Sequence, residues 1–422
     1  MLNAARAAGA TRLWCVLALV LVSLSLPAQA AAPYVDHRVS ALSSTALLHD
    51  DVGRLVDPRR QEAASELAFD ERALFFVWAF SQIIALLALW RSGAAAGLRA
   101  ALRRALKNGV LVRFVFGGAV ATVASLASLP ASLLRYHTAL IYDLDHEPFS
   151  VWSQRALESW GLNALAFGIL TAFVYTLVAR TRLWYLYALP GLLGFVLIVE
   201  FVQPVFVLPL FDRVRPLSPV AFPAGVAVVE RKTDTLGIPF LVDHNASRSA
   251  LATASVVGFG ATKRIVVTDT LLGRATDGEV TFVVAREVSH YVHADGLRSV
   301  LAETIAFVLA IALGVLAADR IPFRRDDDAL SRLPLVAAML GVAALLILPF
   351  YHTYARSLER HADQRALALA GDRAAAVQYF VRLADESLTP LCPARFDRWY
   401  FSVAPPLGTR AATAQGRPDP CR

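Results

Sequence analysis

Residues 333–351 read LPLVAAMLGVAALLILPFY, without a single charged side chain. A stretch of this kind is long enough to cross the hydrocarbon core of a bilayer, which takes about 20 residues of helix. Five more runs of comparable apolarity lie before it, at 73–90, 110–134, 162–178, 184–210 and 300–317. Prolines fall inside or at the ends of several of them (Pro130, Pro190, Pro204, Pro209, Pro349). Membrane helices tolerate such prolines because neighbouring groups re-satisfy the freed carbonyls. The whole composition agrees: 56% of the 422 residues are hydrophobic and 18% charged, against roughly a quarter charged in soluble domains. Mean hydropathy is +0.51. The chain therefore reads as a mainly α multi-spanning membrane protein whose first partner is the lipid bilayer. Its net charge of +7 matches basic loops beside a membrane, and no aromatic-basic pattern indicates nucleic acid.

The N-terminus reads as a secretory signal over 1–30. Arg6 and Arg12 precede an apolar core, and Ala28-Gln29-Ala30 supplies a small-residue cleavage site; the alternative is an uncleaved first membrane helix. Residues 31–70 follow as an extramembrane segment, then four spans within 71–211, a folded segment over 212–299, two spans within 300–351, and C-terminal helices over 352–422, with a proline-rich, irregular tail from Leu388. Within 212–299 the pattern predicts a helix at 224–235, strands at 240–243 and 265–268, a turn at Gly258-Phe259-Gly260, and a helix at 276–297. Beyond the spans it predicts helices at 356–370 and 373–386.

Loop charges set an orientation. The loop at 91–109 carries Arg91, Arg99, Arg103, Arg104 and Lys107 without an acid, and the loops at 180–182 and 320–325 are also basic. The alternate loop holds Asp143, Asp145 and Glu147. Positive loops stay in the cytoplasm, so the segment 212–299 is expected on the outer side, as the signal also requires. For a bacterial inner membrane that is the periplasm. Cys392 and Cys421 would remain after signal removal, as a disulfide or as two free thiols.

The chemistry-bearing stretch is Val284-Ala285-Arg286-Glu287-Val288-Ser289-His290. An H-E-x-x-H helix would place two histidines one turn apart on zinc, with the Glu activating a water. Here the Glu and the second His are present, and Arg286 stands where the first His would be. Downstream, Ser357-Leu358-Glu359-Arg360-His361-Ala362-Asp363 supplies an E-x-x-x-D.

Around these motifs the chain resembles the type I CAAX prenyl endopeptidases, membrane-embedded zinc metallopeptidases. The resemblance rests on Leu129-Pro130-Ala131-Ser132-Leu133-Leu134, on Pro204 to Asp212 (PVFVLPLFD), on Gly258-Phe259-Gly260 followed by Lys263-Arg264-Ile265-Val266-Val267-Thr268-Asp269-Thr270-Leu271-Leu272, and on Pro405-Pro406-Leu407 with Arg410. It implies a ring of membrane helices around a chamber, closed by a small α+β zincin-like domain. It implies zinc as cofactor and a peptide or lipidated peptide as substrate or ligand. By resemblance Glu287 is the general base, His290 and Glu359 are zinc ligands, Asp363 orients a ligand, and Arg410 contacts substrate or oxyanion.

Three positions depart from the family pattern. Arg286 replaces the first zinc His, Thr253 replaces an Asn in the substrate-gripping strand, and Ala404 replaces the His before Pro405. A guanidinium has no lone pair to give a metal and is expected to pair with Glu359 instead. These changes predict weak or lost proteolysis with a retained binding chamber. The alternative is an active endopeptidase with a metal site shifted onto His290, His293 and Glu359, and zinc content separates the two. A transporter is a third class, for which Glu200 and Arg113 supply too few intramembrane charges.

Overall fold

The computed structural model describes residues 42–202, 214–217, 222–244, 252–258, 262–323 and 327–422. The signal-like segment 1–30, the proline-rich stretch 204–212, and Phe259 and Gly260 lie outside the described residues.

Two short helices, α1 (Ser44–His49) and α2 (Val52–Leu55), come first, and among the described residues five helices are long and apolar enough to cross a membrane: α3 (Pro58–Arg91), α5 (Gly109–Ile141), α6 (Phe149–Arg180), α11 (Asp295–Asp319) and α12 (Leu333–Ala370). The 184–210 run forms a further helix, α7 (Trp184–Val202), and its remainder lies outside the described residues. Each packs on the next in the order α3, α5, α6, α7, α11, α12 and back to α3, so the spans close into a ring. Without a hydrophobic force between helices inside a bilayer, close approach depends on small residues. A Cβ at Gly168 of α6 would meet the Phe114 carbonyl of α5 at 2.9 Å, and one at Gly314 of α11 would meet the Leu340 backbone of α12 at 2.7 Å. A short helix, α4 (Ala94–Ala105), joins α3 to α5.

Helix ends differ from the hydropathy boundaries. The first span begins at Pro58, where Asp57 caps it and proline occupies the first turn. Its polar N-terminal turns stand against the C-terminal part of the chain, with Arg60 Nε donating to the Asp385 carbonyl at 2.7 Å. The last span does not stop at Tyr351. It runs unbroken to Ala370 and ends at Gly371, φ 73°. The E-x-x-x-D motif therefore rides on the same rod as the apolar stretch.

Among the described residues the peptidase-like domain holds a four-stranded sheet of order β1 (Val214–Pro216), β2 (Phe240–Asp243), β4 (Arg264–Thr268), β3 (Ala254–Val257). The β2–β4 pair is parallel and the two outer pairs are antiparallel. α9 (Asp269–Arg274) follows β4, α10 (Asp277–Val292) packs on β3, and α8 (Ala224–Thr233) and α13 (Arg373–Glu386) pack on α10, around a core that includes Ile265, Val267, Phe282, Val284 and Phe380. The start of α10 is fixed twice. Thr276 and Glu279 form a capping box, and the fully buried Glu279 accepts from Arg382 of α13, Nε to Oε1 at 2.9 Å.

The helix expected over 276–297 is broken. α10 ends at Val292, Ala294 adopts a left-handed φ of 51°, and α11 starts at Asp295. The tail from Leu388, read as irregular, holds two helices, α14 (Arg395–Tyr400) and α15 (Leu407–Gln415). Pro406 is pre-set at the cap of α15 and Gly416, φ 76°, ends it. Cys392 and Cys421 form a disulfide that closes this tail onto the 388–395 loop.

Candidate functional site

The centre lies where α10 faces α12, with β3, α13 and α15 around it. Helical spacing puts Arg286, Glu287 and His290 within about one turn of each other. β3 lies along α10, and the Val256 backbone N–H donates to the Glu287 carboxylate. On α12, Glu359 and Asp363 are likewise one turn apart and turn toward Arg286.

Arg286 is the hub. Its Nη1 donates to Glu287 Oε1 at 2.6 Å, its Nη2 donates to Glu359 Oε2, and its Nε lies 3.5 Å from Asp363 Oδ1 in an ionic contact without hydrogen-bond alignment. Only 14% of the Arg286 side chain is exposed. Burial alone would favour the neutral guanidine, but Glu359, Glu287 and Asp363 hold its protonation far above the ordinary arginine range. Burial pushes the Glu287 carboxyl up, and Arg286 and His290 act against that rise.

The second arginine closes the far side. Arg410 donates Nε and Nη2 to the two oxygens of Asp363, both at 2.7 Å, and its guanidinium lies 4.5 Å from the Phe380 ring centroid. In this arrangement the planar fork of Arg410 is engaged with Asp363.

His290 stands between two carboxylates. Its Nδ1 is 3.1 Å from Asp295 Oδ2 and its Nε2 is 3.5 Å from Glu359 Oε1. Asp295 also contacts Arg298 and Arg365. Asp295 was not singled out from sequence, since a continuous helix through residue 297 would carry it away from His290. The break at Ala294 brings it back. Tyr379, buried beside Arg286 and Arg410, was missed as well, and burial raises its phenol pKa.

The other expected residues are more dispersed. His293 caps α10 and directs Nδ1 to the Ser289 carbonyl at 2.9 Å. Thr253 precedes β3 and exchanges hydrogen bonds with Thr268. Ala404 lies before Pro405, three residues ahead of α15. Just upstream, Phe401 and Ser402 line a cavity of about 820 Å³ between α3, α5 and the 389–402 segment. Its wall carries the ion pairs Arg72–Asp397 and Arg135–Glu71, at 2.9 and 2.8 Å.

Comparison with known proteins bears on this arrangement. Residues 226–418 match Peptidase family M48, and residues 44–213 match the CAAX prenyl protease N-terminal region, described as five membrane helices. Only residues 214–225 separate the two matches, which between them take in the ring and the centre. The chain belongs to the CAAX prenyl protease family. Within that family, the uncharacterized metalloprotease YhfN of Bacillus subtilis (strain 168) is 27% identical over 365 residues, covering 81% of this chain and 83% of the relative. CAAX prenyl protease 1 of Saccharomyces cerevisiae is 27% identical over 193 residues, 42% of this chain and 40% of the relative. The crystal structure of S. mikatae Ste24p matches with a TM-score of 0.70 at 18% identity, over 90% of this chain and 94% of that one, which establishes a shared helical-chamber fold. This CAAX-protease-family chain is accordingly an integral membrane protein of the M48 metallopeptidase type.

Members of M48 are zinc metallopeptidases, and the donor set here does not fit that ion. Two anionic groups that would face zinc, Glu287 and Glu359, are both occupied by the Arg286 guanidinium. A permanent cation with no lone pair stands between these two carboxylates. Among the described residues no group of three or more His, Cys, Asp or Glu is arranged to hold a metal.

Proposed function

We propose that this member of the family binds peptide or lipidated peptide in its chamber and cleaves it weakly or not at all. The observation that carries the reading is the Arg286 guanidinium among Glu287, Glu359 and Asp363. A carboxylate acts as general base only on a water it can reach, and in a zinc peptidase the metal makes that step easier by lowering the water's pKa to ~7. Glu287 is hydrogen-bonded to Arg286 and Val256 instead. The changes at Thr253 and Ala404 remove two further groups that the family resemblance assigns to substrate and transition state.

Features suited to binding are retained. Among the described residues β3 pairs on one side only, with β4, leaving its other edge beside the centre. Such an edge accepts an extended peptide by main-chain hydrogen bonds. The peptidase-like domain faces the periplasm of a bacterial inner membrane in this reading. The Cys392–Cys421 disulfide supports that side, because such bonds persist in oxidising compartments.

A shifted zinc site on His290, His293 and Glu359 draws support from the 3.5 Å separation of His290 and Glu359. His293, whose ring bonds the Ser289 carbonyl, weighs against it. The deciding assay is peptide cleavage by purified wild type beside Glu287→Gln, with and without chelator. Indistinguishable background rates support the absence of turnover. Chelator-sensitive cleavage by wild type that Glu287→Gln lacks overturns it.

A further inference from the structure

The end of the ring away from the peptidase-like domain carries a helix that the proposed function does not use. α4 leaves α3 through Gly93, φ 79°, and enters α5 at Asn108, whose side chain accepts from the Val110 and Leu111 N–H groups. It packs on both α3 and α5, which themselves lie side by side. Its two faces are unlike. Ala95 is buried, and Leu98, Leu102 and the following Leu106 pack with Ile83, Leu86, Val112 and Phe116 of the spans. The opposite face presents Arg103 and Arg104, both exposed, and Lys107 follows just beyond the helix.

The acids nearby are directed inward. Asp327 accepts from Trp90 Nε1 at 3.2 Å, and Asp328 pairs with Arg99 and receives the Ser331 N–H at 2.9 Å. The neighbouring loops at the same end add exposed Arg180, Arg182 and Arg320, and Asp319 is the one exposed acid there among the described residues. The outward charge is thus a basic collar at the depth where span ends meet lipid phosphates.

We propose that this collar is a binding surface for anionic phospholipid headgroups, with Arg103, Arg104 and Lys107 of the α4 segment at its centre. Amphipathic interfacial helices ordinarily fold by burying their apolar face among acyl chains. Here that face is buried on the protein's own spans, so α4 is held in place whatever the lipid. Selection then comes chiefly from charge, to which the guanidinium fork adds a geometric fit on phosphate. A Lys or Arg near an anionic membrane surface contributes about fivefold to association.

The test uses the full chain in nanodiscs of equal phosphatidylcholine and phosphatidylglycerol, counting the lipids that stay bound on transfer to native mass spectrometry. Wild type should retain phosphatidylglycerol in excess. Arg103→Gln with Arg104→Gln and Lys107→Gln should reduce that excess by more than the roughly fivefold worth of one charge, with an unchanged melting temperature. Arg103→Lys with Arg104→Lys should keep most of it. High salt should erase the wild-type preference, a check that needs no variant. Equal retention of both lipids by wild type, or an undiminished preference in the triple glutamine variant, overturns the proposal.

Discussion

Arg286→Ala should destabilise the folded protein by about 3–5 kcal/mol at neutral pH, the usual cost of stripping one partner from a buried ion pair. Glu287 is 4% exposed and gains little from water, while Glu359, 21% exposed, keeps only His290 at 3.5 Å. Asp363 keeps the bidentate Arg410, which confines the damage to the other two carboxylates. At the 2–4 °C per kcal/mol typical of domains of about 150–250 residues, the melting temperature in detergent should fall by on the order of 10 °C. The loss has a pH signature. Burial already pushes the Glu287 carboxyl up, and without Arg286 the main opposing cation is gone. A carboxyl with a raised folded-state pKa gains stability as pH falls through that pKa, so the gap between variant and wild type should narrow toward acid. Arg286→Gln should share most of the deficit and Arg286→Lys less of it. Superimposable melting curves for wild type and Arg286→Ala at neutral pH would refute the view that this guanidinium holds the centre together.

Wild-type melting should be indifferent to chelator, whereas Arg286→His should acquire a zinc-dependent rise in melting temperature, and cleavage should additionally need Ala404→His; equal responses of wild type and Arg286→His to zinc count against both statements. Burial raises the Asp385 carboxyl to about 6 even though it accepts the Asp57 N–H at 3.1 Å beside Arg60 and Gln61. Its folded-state pKa lies above its unfolded value, so stability should fall as pH rises between about 4 and 6, by on the order of 3 kcal/mol. Urea unfolding of Asp385→Asn should lack that slope. Reducing Cys392–Cys421, with a sequence separation of 29, should cost about 3–4 kcal/mol from loop-closure entropy, read as a lower urea midpoint for Cys392→Ser.

The spans were legible because a charge-free run has few fates other than a bilayer. Their ends were less so, since hydropathy stops at the membrane surface and the hydrogen-bond ladder does not. Nothing between Tyr351 and Gly371 breaks a helix, and α12 continues through a polar sequence to Ala370. The Arg286–Glu359 pair was expected because the family resemblance sets both residues at one site, where opposite charges meet, and it is present. Asp295 was hidden by Ala294, a residue type that seldom adopts a left-handed conformation. No local pattern marks the Arg410–Asp363 fork, because its partners lie 47 residues apart and meet only through packing.

The continuity of α12 has a mechanical meaning. Its 38 residues make a lever roughly 57 Å long, with one arm in the hydrocarbon and the other bearing Glu359 and Asp363. Pro349 is the natural fulcrum, for it is where a helix bends most readily. Glu359 sits ten residues beyond it, about 15 Å along the axis, so each degree of flexure there displaces the carboxylate by roughly a quarter of an ångström. A bilayer thick or thin enough to change the inclination of the lower arm therefore works directly on the Arg286–Glu359 clasp.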